Sequence, residues 1–222
     1  MFPISDVIPS RTTPVVTIAL IAVNAAVFLY QAVLSDLALE LFVARYALIP
    51  AWFSWTALFT SQFLHAGWLH AIGNMLYLWI FGDNVEDRLG HFKYLVFYLL
   101  CGWIASFAHI WASPASRVPS IGASGAIAGV LGAYLVLFPH ARVHALLPLG
   151  ILTQMVHIPA VFFLGFWFLQ QLAFGYFDLT NPVGGGGGVA YFAHIGGFVF
   201  GALMIKLFAR RTAAGGPPRP VY

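Results

Sequence analysis

Long apolar stretches separated by charged residues set the pattern of this chain. Six windows without a charged side chain are each long enough for a helix of about 20 apolar residues, the length that crosses a bilayer. They predict membrane spans at residues 14–34, 68–87, 92–112, 121–138, 157–177 and 190–209. We therefore expect an all-α membrane protein, a bundle of six transmembrane helices over residues 14–209, with a short N-terminus at 1–13 and a disordered tail at 210–222.

The composition agrees with a chain whose main partner is the lipid bilayer. Of its 222 residues, 61% are hydrophobic and only 8% are charged, whereas soluble domains carry about 25% charged residues. A net charge of +3 requires no nucleic acid to balance it. The single cysteine, Cys101, excludes an intramolecular disulfide.

The basic residues predict the orientation in the membrane. With six spans, all ten lysines and arginines except Arg45 and Arg117 fall on the side of the two termini. Cytoplasmic segments are enriched in basic residues, so we expect both termini in the cytoplasm. The compact chain, in which no transit peptide is evident, favours a prokaryotic inner membrane.

Two connecting segments stand out by composition. The first, residues 35–67, is rich in aromatic side chains, which favour the headgroup level of a bilayer. We expect it to lie partly in the outer leaflet rather than in water. The second, Asn181–Ala190, holds five consecutive glycines, which indicates either a mobile external loop or a plain spacer.

Four polar residues near the outer ends of three spans form one shallow layer: His70, Asn74, Ser124 and His194. Taken alone, each has an ordinary structural explanation, such as a serine that bonds its own helix or an asparagine that joins two helices. Polar groups are costly in lipid and usually face the interior of a bundle. Four at the same depth therefore favour a functional site.

Glycines spaced three or four apart predict which helices meet. They recur from Gly122 to Gly132 in the fourth span, and Gly197 and Gly201 form a GxxxG pattern in the sixth. Such small-residue faces let helix backbones touch. We expect these two spans to pack tightly and to bring Ser124 within reach of His194.

A serine beside a histidine suggests nucleophilic catalysis, because the imidazole can take the hydroxyl proton. None of the seven acidic residues lies in the outer part of a span, so we expect a Ser124–His194 dyad rather than a triad. The Ser124 backbone N–H, the Asn74 amide and a His70 ring N–H are candidate donors to an oxyanion.

Three motifs resemble the rhomboid family of intramembrane serine proteases: HAGWLHAIGN from His65, GASGAIAG from Gly122 and AHIGGFVFG from Ala193. The resemblance implies a six-helix rhomboid-like bundle with Ser124 as nucleophile, His194 as base and His70 and Asn74 in the oxyanion hole. It also implies cleavage of single-pass membrane proteins near the outer membrane boundary, without a metal or cofactor.

The chain departs from the family pattern at two positions. Trp55–Thr56 stands where many members have Trp-Arg, and Ala128 stands where members often have an aromatic ring that stacks on the catalytic histidine. We therefore expect either that another ring orients His194 or that the dyad is held more loosely. Glu86 resembles a structural glutamate of the family.

Other functions remain as alternatives. A catalytically inactive, client-binding relative would usually lack the serine or the histidine. A transporter would need polar residues in the inner halves of the spans as well. A metalloprotease is disfavoured because the chain has no H-E-x-x-H motif, and an intramembrane aspartyl protease because no span holds a pair of aspartates.

Overall fold

The computed structural model describes residues 2–149, 152–180 and 189–209. The chain runs β1 (Phe2–Asp6), α1 (Val15–Ala32), α2 (Asp36–Tyr46), α3 (Trp55–Thr60), α4 (Trp68–Leu89), α5 (His91–Ala112), α6 (Ser124–Leu137), β2 (Arg142–Leu149), β3 (Leu152–Pro159), α7 (Ala160–Thr180) and α8 (Tyr191–Phe208). Short 3₁₀ turns at Pro50–Trp52 and Ser61–Phe63 flank α3.

A helix lies at each of the six positions that the apolar windows predict, but only some of these helices meet the requirements for crossing a membrane. Within the described ranges, four are long and apolar enough: α1, α5, α7 and α8. Helix α4 has 22 residues but ends in a charged segment that includes Asp83, Glu86 and Asp87. Helix α6 has only 14 residues. The protein is thus a multi-pass membrane protein, and a count of six spans stays a prediction.

Helix α6 occupies the centre of the bundle, where it packs against α8, α5 and α4. Its residues Gly125–Tyr134 are all buried. A Cβ atom at Gly201 of α8 would overlap the backbone oxygen of Gly129, and one at Gly197 would overlap that of Gly125. The expected close packing of these two helices is confirmed.

A three-stranded antiparallel sheet corrects the all-α prediction. Strand β2 pairs with β1 on one side and with β3 on the other, with His144 opposite His157. In β2, Val143 and Ala145 are buried while Arg142 and His144 are not, an alternation typical of a strand. The apolar window 143–177 gave no sign of these two strands, because no charged residue separates them from α7.

The sheet also includes part of the short N-terminus predicted at residues 1–13. Strand β1 pairs with β2 from Phe2 to Asp6, and the Tyr134 hydroxyl of α6 donates a hydrogen bond to the Asp6 carboxylate. We call this end of the bundle, where the sheet lies, the sheet end. The opposite end, where α6 begins at Ser124, is the loop end.

Glu86 joins α4 to the start of α1. Its carboxylate accepts hydrogen bonds from the backbone of Val16 (2.9 Å) and Thr17 (2.8 Å) and from the Thr17 hydroxyl, and it lies 2.6 Å from Nδ1 of His91. These N–H groups lie in the first turn of α1 and have no partner within that helix. The structural role expected for Glu86 is confirmed.

The aromatic segment 35–67 is folded rather than a plain loop. Its backbone is tied to the segment before α6, where Leu48 and Ser120 exchange two hydrogen bonds (3.1 and 2.7 Å) and Ala51 donates to Ser116 (3.0 Å). Several of its aromatic side chains are exposed, Trp55 most of all. A position in the outer leaflet stays a prediction.

Two further predictions lie outside the described residues. The proposed mobile loop at Asn181–Ala190 is described only in its last two residues, and the tail at 210–222 is not described.

Candidate active site

Ser124 is the first residue of α6, and the backbone before it is held in an unusual conformation. Gly122 has φ of +125°, which residues with a side chain rarely adopt. A Cβ atom there would come within 2.7 Å of His70 Nε2 and 3.7 Å of Ser124 Oγ. The Gly122 N–H donates to the Ser61 carbonyl over 2.9 Å. The segment 35–67 therefore helps to hold the serine in place.

The serine and the histidine meet as the packing of α6 on α8 requires. Ser124 Oγ lies 2.8 Å from Nε2 of His194, on the first turn of α8. His194 is buried with 8% exposure, and Ser124 is partly accessible. A hydroxyl that donates to an imidazole nitrogen is the arrangement that a serine nucleophile needs.

The other ring nitrogen of His194 has a partner that the sequence did not reveal. Nδ1 lies 2.9 Å from Oε1 of Gln171 on α7, and Gln171 is itself buried. The Trp167 ring of the same helix lies 5.8 Å from the imidazole, tilted by 35°. An aromatic ring thus contacts His194 although Ala128 supplies none. Gln171 lies in the fifth span, outside the three motifs, and the signal that points to it is an amide in an otherwise apolar helix.

His70 and Asn74 lie on the first two turns of α4. Nδ1 of His70 accepts a hydrogen bond from the Ala66 backbone (3.3 Å), so the proton of a neutral ring is on Nε2, the nitrogen that approaches Gly122. The Asn74 amide nitrogen is buried, and no described residue accepts a hydrogen bond from it. An unpaired buried donor is costly, and such a donor suits a ligand that brings an acceptor.

The start of α6 supplies a further donor. Its N-cap residue, Ala123, makes no side-chain capping bond, and the first N–H groups of a helix have no partner within the helix. Together the four predicted residues place a hydroxyl, a base and several N–H donors at the loop end.

Within the described residues, no group of three His, Cys, Asp or Glu side chains could hold a metal ion.

Comparisons with known proteins show which family the chain resembles. Residues 52–211 match the family model described as Rhomboid domain. The chain is 34% identical over 152 residues to Rhomboid protein 1, mitochondrial, of Saccharomyces cerevisiae. The aligned region covers 64% of this chain and 39% of that protein. It is 29% identical over 168 residues to Rhomboid-like protein 11, chloroplastic, of Arabidopsis thaliana, which covers 74% of this chain and 55% of that protein.

A bacterial relative is named as a protease. Over 81 residues, which are 36% of this chain and 15% of the relative, the chain is 44% identical to Rhomboid protease GluP of Bacillus subtilis. The chain thus spans less than two thirds of the length of each of these relatives. Since the family model covers most of the chain, this protein belongs to the rhomboid family.

Proposed function

We propose that this protein is an intramembrane serine endopeptidase that cleaves single-pass membrane proteins near the outer membrane boundary. The observation that carries the proposal is the 2.8 Å contact between Ser124 Oγ and His194 Nε2. The protease names of relatives such as Rhomboid protease GluP support it. An inactive, client-binding role is less well supported, because both members of the dyad are present and in contact.

In the first half of the reaction, Ser124 Oγ attacks the carbonyl carbon of the scissile peptide bond as its proton passes to His194 Nε2. The carbonyl electron pair moves onto the oxygen. That oxyanion would accept hydrogen bonds from the Ser124 backbone N–H, the Asn74 amide and His70 Nε2–H. One such donor contributes about 3–4 kcal/mol to transition-state stabilisation.

The intermediate then collapses to an acyl-enzyme. The C–N bond breaks, and His194 gives its proton to the leaving amine. In the second half, water attacks the ester carbon and loses a proton to His194 Nε2, and the same proton returns to Ser124 Oγ as the carboxylic acid product leaves. The enzyme ends in its starting state, and each step uses a group that lies at the loop end.

For the topology, we propose that both termini and the sheet end are on the cytoplasmic side, which the distribution of basic residues supports. Water and substrate would then reach Ser124 from the outer side. The expected prokaryotic inner membrane gains no support from the comparisons, because relatives are named as mitochondrial and chloroplastic proteins as well as bacterial ones.

A fluorophosphonate probe tests the proposal without knowledge of the substrate, since it traps only activated serines. We expect purified protein in detergent to be labelled at Ser124, with labelling abolished in Ser124→Ala and lost in His194→Ala. Ser120→Ala, which removes a hydroxyl four residues away, is the matched control and should label as wild type does. Folded protein that is not labelled at Ser124 would contradict the proposal and favour a client-binding role.

A further inference from the structure

Helix α7 contributes a polar side chain to the candidate site, although it carries none of the motif residues. Gln171 lies between His194 and the backbone of its own helix. Its Oε1 atom lies 2.9 Å from His194 Nδ1, and its Nε2 atom donates to the Trp167 carbonyl over 3.3 Å. Both Gln171 and His194 have 8% exposure, so water does not readily replace either bond.

These two contacts determine which ring nitrogen of His194 carries the proton. The Trp167 carbonyl can only accept a hydrogen bond, so the NH₂ group of the Gln171 amide faces it and the amide oxygen faces His194. An amide oxygen can only accept as well, so Nδ1 of His194 must be the donor. In a neutral imidazole, Nε2 then has a free lone pair, and this is the nitrogen that faces the Ser124 hydroxyl.

An amide suits this position better than a carboxylate would. In soluble serine proteases an aspartate holds the histidine in the correct tautomer and orientation. A buried carboxylate, however, carries a desolvation penalty of several kcal/mol, and a neutral amide avoids most of this penalty while it keeps the acceptor. None of the acidic side chains makes a described hydrogen bond to His194.

We propose that Gln171 is a positioning residue that keeps His194 protonated on Nδ1 and directs Nε2 toward Ser124. The inference rests on the proposed protease function. The dyad then becomes a hydrogen-bonded row of Ser124, His194 and Gln171, to which α6, α8 and α7 each contribute one residue. The alignment of the base then depends on how α7 packs against α8.

The test compares two substitutions of Gln171 with one at the neighbouring glutamine. Gln171→Met keeps an unbranched side chain of similar length but removes the acceptor, while Gln171→Glu keeps an acceptor oxygen. Gln170→Met makes the same change one position away and is the control. Each variant is assayed for the rate of fluorophosphonate labelling at Ser124, for kcat and KM on a single-pass reporter, and for thermal stability.

We expect Gln171→Met to slow labelling and kcat about 10- to 100-fold, less than the about 10²–10⁴-fold that complete general-base assistance contributes, because the base itself is still present. KM should not change, because Gln171 does not touch the substrate. Gln171→Glu keeps an acceptor and should lose less of the rate than Gln171→Met does, and Gln170→Met should match wild type. The tautomer of His194 can be read from ¹⁵N spectra of histidine-labelled protein, in which the His194 signals are those that His194→Ala removes. Wild type should show the Nδ1–H tautomer, and Gln171→Met should show a mixture of the Nδ1–H and Nε2–H tautomers.

Other results would overturn the inference. Labelling of Gln171→Met at the wild-type rate, or an unchanged tautomer, would show that the acceptor is not needed. If the two Gln171 variants lose rate only in proportion to their loss of melting temperature, the role of Gln171 is purely structural. Failure of wild-type protein to label would instead refute the proposed function, on which the role of Gln171 depends.

Discussion

The two ends of α4 carry opposite kinds of polar chemistry. At the loop end, the polar side chains are His70 and Asn74, and the Asn74 amide nitrogen has no acceptor among the described residues. At the sheet end, the polar side chains include the acidic Glu86 and Asp87. Asp87 accepts hydrogen bonds from the backbone N–H groups of Arg11 (2.5 Å) and Thr12 (3.0 Å). Glu86 accepts hydrogen bonds from backbone N–H groups of α1.

This difference distinguishes a candidate binding site at the loop end from a set of structural hydrogen bonds at the sheet end. The carboxylates at the sheet end have fixed partners within the protein, so their hydrogen bonds stabilise the fold. At the loop end, the buried Asn74 amide nitrogen has no acceptor among the described residues, so it is available to an oxygen that a ligand brings. Removing a donor at the loop end should therefore affect turnover, and removing an acceptor at the sheet end should affect stability.

The largest effect is expected for Asn74→Ala. If the amide donates to the oxyanion, its loss should reduce kcat about 10²–10³-fold, with little change in melting temperature, because the donor has no described partner to lose. Asn24→Ala is the matched control, since Asn24 is also buried but donates to the Leu20 carbonyl of its own helix. A loss of stability in Asn74→Ala in proportion to its loss of turnover would make Asn74 a structural residue and break the comparison.

The second effect is expected for Glu86→Gln, at the other end of the helix. A glutamine offers one acceptor oxygen where two were used, and it loses the charge that strengthens the bonds to Val16 and Thr17. Hydrogen bonds to charged groups contribute about 1.5–3 kcal/mol each, so we expect the free energy of unfolding to fall by about that amount. Labelling of Ser124 in folded protein should not change.

Glu40→Gln, an exposed change in α2, is the control for Glu86. A Glu86→Gln protein that keeps its stability but loses labelling would place Glu86 in the functional machinery.

The smallest effect is a pH dependence at the sheet end. Burial raises the pKa of Asp6 from 3.8 to about 6, more than the hydrogen bond from Tyr134 lowers it. The folded protein thus holds this proton more tightly than the unfolded chain. The resulting stabilisation is complete below about pH 4 and is lost as the pH rises through about 6.

Melting temperatures measured in detergent from about pH 4 to pH 8 would test this. We expect Asp6→Asn to weaken the decline in stability over that range, whereas Asp36→Asn, at an exposed aspartate, should follow wild type. Identical curves for wild type and Asp6→Asn would show that Asp6 is not held in its protonated form.

Much of the helical fold could be predicted, and four motif residues could be selected as a candidate site, because the signals are local. A run of apolar residues indicates a helix for lipid, and a glycine every third or fourth position indicates a contact face. The sheet could not be predicted in this way. After Arg142 no charged residue separates strands β2 and β3 from the adjoining α7, and β1 pairs with a segment about 140 residues away in the chain.

The sequence by itself determined that this is a membrane protein and which serine, histidines and asparagine could form a site, because polar residues in apolar helices are rare enough to stand out. Only the tertiary structure decided which groups hold them. The Gln171 amide lies 23 residues from His194, and Glu86 lies 69 residues from Thr17. Such hydrogen bonds depend on how helices rotate and pack against each other, and no local pattern records that choice.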